Sequence, residues 1–156
     1  MSATSSLVIT RTLAASSAQV FAAWTDEETI RQWFCPGPDM IVAVAEVDLR
    51  EGGRYRVVMQ NKDGETYSPS GSYEQIVPNE KLVFSWKWAD AELVTRVTVE
   101  FRELGPDETE MTLTHEGFPD TDVRDRHNGG WEGCLAKLPG VFRSIQRKEQ
   151  CNETLL

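Results

Sequence analysis

The sequence predicts an α+β fold: a seven-stranded antiparallel sheet curled around one long C-terminal helix, with two short helices after the first strand. Three observations predict it. Seven segments alternate apolar and polar side chains with period two, the mark of a half-buried strand. The links between the last six are short and rich in turn residues, and short links join antiparallel neighbours because parallel pairs need long crossovers. Beyond them only one long stretch, about residues 122–148, carries helical spacing. It is therefore the one large apolar partner for the buried face of the sheet.

Residues 1–6 are small and polar and are expected to fray. LVITRTL (7–13) alternates and reads as the first strand. Ser16-x-x-Gln19 is a capping-box pattern, which predicts a helix over about 17–24 with Val20, Phe21 and Trp24 on its apolar face. Thr25-x-x-Glu28 repeats the device for a second short helix, with Ile30, Trp33 and Phe34 turned inward. Cys35-Pro36-Gly37-Pro38 ends it, since proline cannot continue a helix.

Six strands are expected next, at about 40–48, 53–61, 65–76, 81–88, 93–103 and 109–116. Turn chemistry separates them at Glu51-Gly52-Gly53, Asp63-Gly64, Pro78-Asn79, Ala89-Asp90 and Gly105-Pro106-Asp107. Phe118-Pro119-Asp120 leads into the final helix, about 40 Å long at the usual rise per residue. No repeat, low-complexity segment or linker interrupts the chain. Residues 1–156 read as one domain, large enough to bury roughly two thirds of its unfolded surface.

Charge narrows the partners. The net charge is −9, and the 16 Lys and Arg form no dense run, so neither nucleic acid nor an anionic membrane is an expected partner. No stretch approaches the roughly 18 apolar residues of a membrane span. Cys35, Cys134 and Cys151 lie far apart without a CxxC pair, and the N-terminus lacks the basic and apolar regions of a signal peptide. Reduced thiols and a cytoplasmic location are the expectation. Nothing in the sequence marks an oligomeric state.

Alternation assigns the inner face. Tyr55, Val57 and Met59 share a side, as do Leu82, Phe84, Trp86 and Trp88 against Val83, Ser85 and Lys87. Val97, Val99 and Phe101 face inward, and so do Met111, Leu113 and His115. His115 reads either as a core histidine with one hydrogen-bonded nitrogen or as a polar anchor at the end of a pocket. Trp86 and Trp88 read as core or as pocket wall, since two indoles on one face need hydrogen-bond partners or a lined space.

The last helix is odd. HNGGWEGCLAKLPGVF (127–142) places Trp131, Leu135, Leu138 and Phe142 on one stripe, yet holds four glycines and Pro139. Each interior glycine costs a helix about 1 kcal/mol, and proline about 3 kcal/mol. Missing side chains let backbones approach or leave room, and here a mixture is expected, with space near Trp131. Pro139 should kink the helix by depriving Leu135 of its backbone donor.

The segments RTLAASSAQVFAAWTDEETIRQWF, VDLREGGRYRVVM, GSYEQIVPNEKLVFSW, LTHEGF and HNGGWEGCLAKL, in this order and spacing, resemble the activator of heat shock protein 90 ATPase homologue family. That family belongs to the START-like (SRPBCC) superfamily of helix-grip folds, with birch-pollen-allergen-like and polyketide cyclase proteins. The resemblance spans about residues 8–145. It implies a seven-stranded sheet gripping a C-terminal helix, with a hydrophobic cavity between. It also assigns much of the ATPase stimulation to a separate N-terminal domain with an Asn- and Trp-rich motif. No such motif occurs in these 156 residues.

No catalytic constellation stands out. There is no G-x-S-x-G elbow and no phosphate-binding glycine loop, and Gly52-Gly53 reads as a hairpin turn. His115, His127 and Cys134 lack metal-ligand spacing, so neither a metal nor a cofactor is expected. Glu46, Asp48, Arg50 and Arg54 read as a surface charge cluster. Three functions stay open. The favoured one binds an apolar or amphipathic small molecule in a pocket lined by Tyr55, Val57, Met59, Trp86, Trp88, Phe101, Met111, Leu113, His115, Trp131 and Leu135. The second is a co-chaperone-like interaction module whose partner is a chaperone. The third is a cyclase or dehydratase using His115 with Tyr55 or Tyr73 as acid or base.

Overall fold

The computed structural model describes the backbone of residues 5–154, and side chains as far as residue 146. The element order is β1 (Ser5–Leu13), α1 (Ser17–Thr25), α2 (Glu27–Trp33), β2 (Ile41–Val47), β3 (Arg54–Gln60), β4 (Thr66–Tyr67), β5 (Pro69–Val77), β6 (Lys81–Trp88), β7 (Thr95–Gly105), β8 (Glu108–Phe118), α3 (Thr121–Leu135) and α4 (Leu138–Thr154). Seven strands form one antiparallel path, β1-β8-β7-β6-β5-β3-β2, and the two-residue β4 branches from β3. The frayed N-terminus expected over residues 1–6 gives way at Ser5 and Ser6, which already pair with Phe118 and Glu116, while residues 1–4 lie outside the described part. Cys151 lies beyond the described side chains.

The capping box at the start of α1 forms as the sequence indicates. Ser16 Oγ accepts from the Gln19 backbone N–H at 3.1 Å, and Gln19 Oε1 accepts from Ser16 N–H at 3.0 Å. The second cap falls one residue later than expected. Thr25 remains in α1, where its hydroxyl donates to the Phe21 carbonyl, and Asp26 caps α2 by accepting from Thr29 N–H. Asp26 thus closes one helix and opens the next.

The strand expected over 65–76 is split at Ser68 into β4 and β5. Pro69, which opens β5, has no N–H to give to a ladder. The inner faces follow the alternation: Val57, Leu82, Phe84, Val97, Val99, Met111 and Leu113 are all buried. Val83, expected on the outer face, is buried too. It pairs with Gln75 at the β5 bulge, where the register shifts.

The long C-terminal helix is interrupted at Ala136–Lys137. Pro139 supplies no N–H to the Leu135 carbonyl, so the ladder must break there. Lys137 N–H instead bonds Cys134 O in a tighter turn, and Val141 N–H restarts the ladder on Lys137 O. Leu138 and Phe142 beyond the break are buried in the core. Arg11 of β1 pairs with Glu132 of α3, tying the helix to the sheet edge. Among the described residues no helix is long and apolar enough to cross a membrane.

Candidate functional site

An open cavity of about 730 Å³ lies between α3, the end of β6 and the loops that follow α2, β3 and β6. Its size falls in the usual range for small-molecule sites. Met59 comes from β3, Tyr67 from β4, and Trp86 and Trp88 from β6. Phe34, Pro36 and Met40 come from the loop after α2, and Asp90, Ala91 and Leu93 from the loop after β6. The α3 wall carries Val123, Arg126, His127, Gly130, Trp131 and Cys134.

Two glycines of α3 do opposite things. A Cβ on Gly133 would overlap the Pro36 carbonyl oxygen, so only glycine lets the helix backbone lie against the loop after α2. Lys137 fastens the same loop, its Nζ donating to the carbonyls of Cys35 and Gly37, each at 2.8 Å. Gly130 lines the cavity, and a Cβ there would meet nothing within 4 Å. One glycine permits contact and the other leaves room.

Two imidazoles, His127 in the wall and His115 behind it, are hydrogen-bonded at both ring nitrogens. Trp131 Nε1 donates to His115 Nδ1 at 3.0 Å. An indole is only a donor, so Nδ1 is the acceptor nitrogen, and Nε2–H must point at Thr95 Oγ1, 2.7 Å away. Thr95 passes the chain on to the Trp86 carbonyl at 3.3 Å. His127 repeats the arrangement. Its Nε2 accepts from Trp88 Nε1 at 2.9 Å, so its Nδ1–H donates to the Val123 carbonyl at 2.8 Å. The two imidazole centroids are 5.3 Å apart.

Both histidines are thereby held neutral. Burial, then the neighbouring His127, pushes His115 down to about 3. Burial also lowers His127, against the pull of its hydrogen bond to Val123. Desolvation raises the Tyr55 phenol, which donates to Ser85 O at 2.6 Å, and the Tyr73 phenol as well. Cys134 is pushed up to about 12, chiefly by burial, so it is a thiol at neutral pH. Cys35 and Cys134 are both unpaired and buried. No nitrogen of His115 or His127 has a free lone pair for a proton or a metal. Among the described residues no group of three His, Cys, Asp or Glu could hold a metal ion.

Four of the pocket residues named from sequence, Met59, Trp86, Trp88 and Trp131, line this cavity together. Tyr55 and Val57 face a second, much smaller void of about 20 Å³. Phe101, Met111, Leu113, His115 and Leu135 are packed in the core and line neither cavity. The α3 residues that alternation of the strands misses were signalled by spacing: Val123, His127, Gly130 and Cys134 recur at three and four residues, on a face beside the Trp131–Leu135–Leu138 stripe. The loop residues had no such signal. Glu46 and Asp48 form exposed pairs with Arg56 and Arg50 respectively.

Solved structures share this architecture. The AHSA1 protein from Silicibacter pomeroyi superposes with a TM-score of 0.81 at 24% identity, covering 90% of this chain and 99% of that one. A protein from Chromobacterium violaceum gives 0.79 at 24% identity, over 87% of this chain and 95% of that one. One from Rhizobium leguminosarum gives 0.72 at 29% identity, over 91% and 96%. No curated protein matches. The sequence model described as "Activator of Hsp90 ATPase homolog 1-like protein" matches residues 14–143, so the chain belongs to that family.

Proposed function

We propose that this protein binds an apolar or amphipathic small molecule in the cavity between sheet and α3. The observation that carries the reading is a cavity of about 730 Å³ walled by Phe34, Trp86, Trp88 and Trp131. Filling that volume with side chains would stabilise the core, since voids cost contacts. Instead the chain keeps Gly130 where a side chain would fit. The polar lining residues Asn61, Asp90 and Arg126 are at least partly exposed to solvent, which suits a ligand with one wet end.

Acid–base catalysis by His115 with Tyr55 or Tyr73 gains no support: the protons of His115 and Tyr55 are committed to hydrogen bonds, and burial opposes ionisation of all three groups. A chaperone partner is the reading that the family description suggests. These 156 residues carry no Asn- and Trp-rich motif. This chain alone is expected to leave the steady-state ATPase rate of heat shock protein 90 unchanged, and a several-fold, salt-resistant stimulation would promote that reading over ours. The binding reading is tested by native mass spectrometry after mild purification. An added small-molecule mass lost on gentle activation supports it. Apo protein alone, even after incubation with hydrophobic metabolite extracts, counts against it.

A further inference from the structure

We propose that a proton and an apolar ligand compete for the cavity through His127, so that mild acid empties the site. The proposal rests on the small-molecule reading above and names how that same site is regulated.

His127 lines the cavity and is half-buried, as is its partner Trp88. Their hydrogen bond has one possible direction. An indole only donates, so Trp88 Nε1 gives its hydrogen to His127 Nε2 at 2.9 Å, and His127 Nδ1–H goes to the Val123 carbonyl at 2.8 Å. A second proton therefore has to displace the indole. It would set an imidazole N–H against an indole N–H, two donors with no acceptor between them, and the pair must part.

That parting loosens a wall. Trp88 is the last residue of β6, beyond Trp86, where pairing with β7 ends at Thr95. On its other side it pairs with Pro69, which has no N–H to give to the ladder. Its ring meets Trp86 edge-on, with centroids 5.4 Å apart at 88°. The bond to His127 is the one polar tie of its side chain.

The ligand acts with the same sign. An apolar body in the cavity takes water from His127, and a charged imidazole loses more by this than a neutral one. The neutral ring suits the filled cavity and the charged ring suits the empty, wet one. Linkage makes the effect reciprocal: the factor by which the proton weakens the ligand is the factor by which the ligand weakens the proton.

The surrounding groups place the exchange in acid. Burial lowers the His127 pKa from 6.5, the Val123 bond raises it, and Arg126 beside it on α3 lowers it. His115 of β8, 5.3 Å away between centroids, stays neutral down to about 3 and brings no charge of its own before then. Cys134 on the same wall is held as a thiol. Asp90 of the loop after β6 and Tyr67 of β4 line the same cavity.

Fluorene is the probe, because it carries no group that titrates. Its affinity is read by equilibrium dialysis from pH 7.5 to pH 5, within the range where circular dichroism shows the native fold. The wild type is expected to bind several-fold more weakly at the acid end, with a slope no steeper than about ten-fold per pH unit, the limit for one proton. His127→Gln offers an amide oxygen to Trp88 and an N–H to Val123 without titrating, so its affinity should be flat. It keeps Asp90, Tyr67, Arg126 and His115. A slope that survives in it, or a flat wild type, overturns the proposal and leaves the cavity reading standing. No binding to the wild type at pH 7.5 overturns both. Should His127→Gln not fold or not bind, the reciprocal effect in the wild type decides. The His127 C2 proton signal should titrate at lower pH in the fluorene-saturated protein than in the free one, and an unmoved midpoint contradicts the proposal.

Discussion

Both ring nitrogens of His115 are engaged, Nδ1 by the Trp131 indole and Nε2 by Thr95. Its pKa falls from 6.5 to about 3 in the folded protein, while the unfolded chain keeps the ordinary value. Below pH 6.5 the unfolded state therefore binds a proton that the native state refuses. Stability contributed by the neutral ring is complete above 6.5 and is lost progressively as pH falls toward about 3. One proton is worth about 1.4 kcal/mol per pH unit, so roughly 2 kcal/mol should go between pH 6.5 and 5, with His127 adding in the same direction. Urea unfolding across this range checks it. A His115→Gln variant should show a shallower slope, and an unchanged slope would contradict the assignment. Trp131→Phe keeps an aromatic ring of smaller volume and deletes the donor, so it should cost at least about 1–3 kcal/mol by stranding Nδ1. Trp131→Ala also removes packing against Trp24, Phe34 and Trp86 and should cost about 3–5 kcal/mol. Alternation placed His115 and Trp86 on the inner face correctly. It was silent on their partners, because Trp131 arrives from α3 and only the tertiary fold brings it to His115.

At the scale of elements, α3 explains why a weakened helix carries the apolar stripe. Gly133 buys close approach to the loop after α2, and Gly130 leaves cavity space. Gly133→Ala should destabilise, because the obstacle is backbone at Pro36 rather than a movable side chain. Gly130→Ala should stabilise by up to about 1 kcal/mol, the helix propensity of alanine over glycine. Gly130→Leu should fold and yet weaken ligand binding by occupying the space. Thermal melts with and without fluorene compare the three. If Gly130→Leu bound as well as the wild type, the site would lie elsewhere. The sequence signalled both breaks of regular structure only in part. Pro139 announced the interruption of the C-terminal helix. The boundary between α1 and α2 was displaced by one residue because Thr25 and Asp26 both carry a capping oxygen, and spacing alone could not choose between them.

For the whole molecule, topology was legible because short turns leave antiparallel hairpins little choice. Period-two strands next to a single long helical stretch then dictate what covers the sheet. The cavity was less so. Its α3 wall follows helical spacing, but Phe34, Pro36, Met40, Asn61, Ala91 and Leu93 come from loops whose paths no periodicity encodes. Its existence depends on how far those loops stand from α3, which is set by Gly133 and by Lys137 reaching the Cys35 and Gly37 carbonyls. Ligand is expected to enter this space and to touch no other face of the sheet. The most direct measurement is an assigned ¹H–¹⁵N chemical-shift map during titration with fluorene. Shifts should cluster at Met59, Trp86, Trp88, His127, Gly130 and Trp131, with the exposed Val8 and Thr10 of β1 unmoved. Shifts centred on that outer face, or none at saturating ligand, would contradict the account.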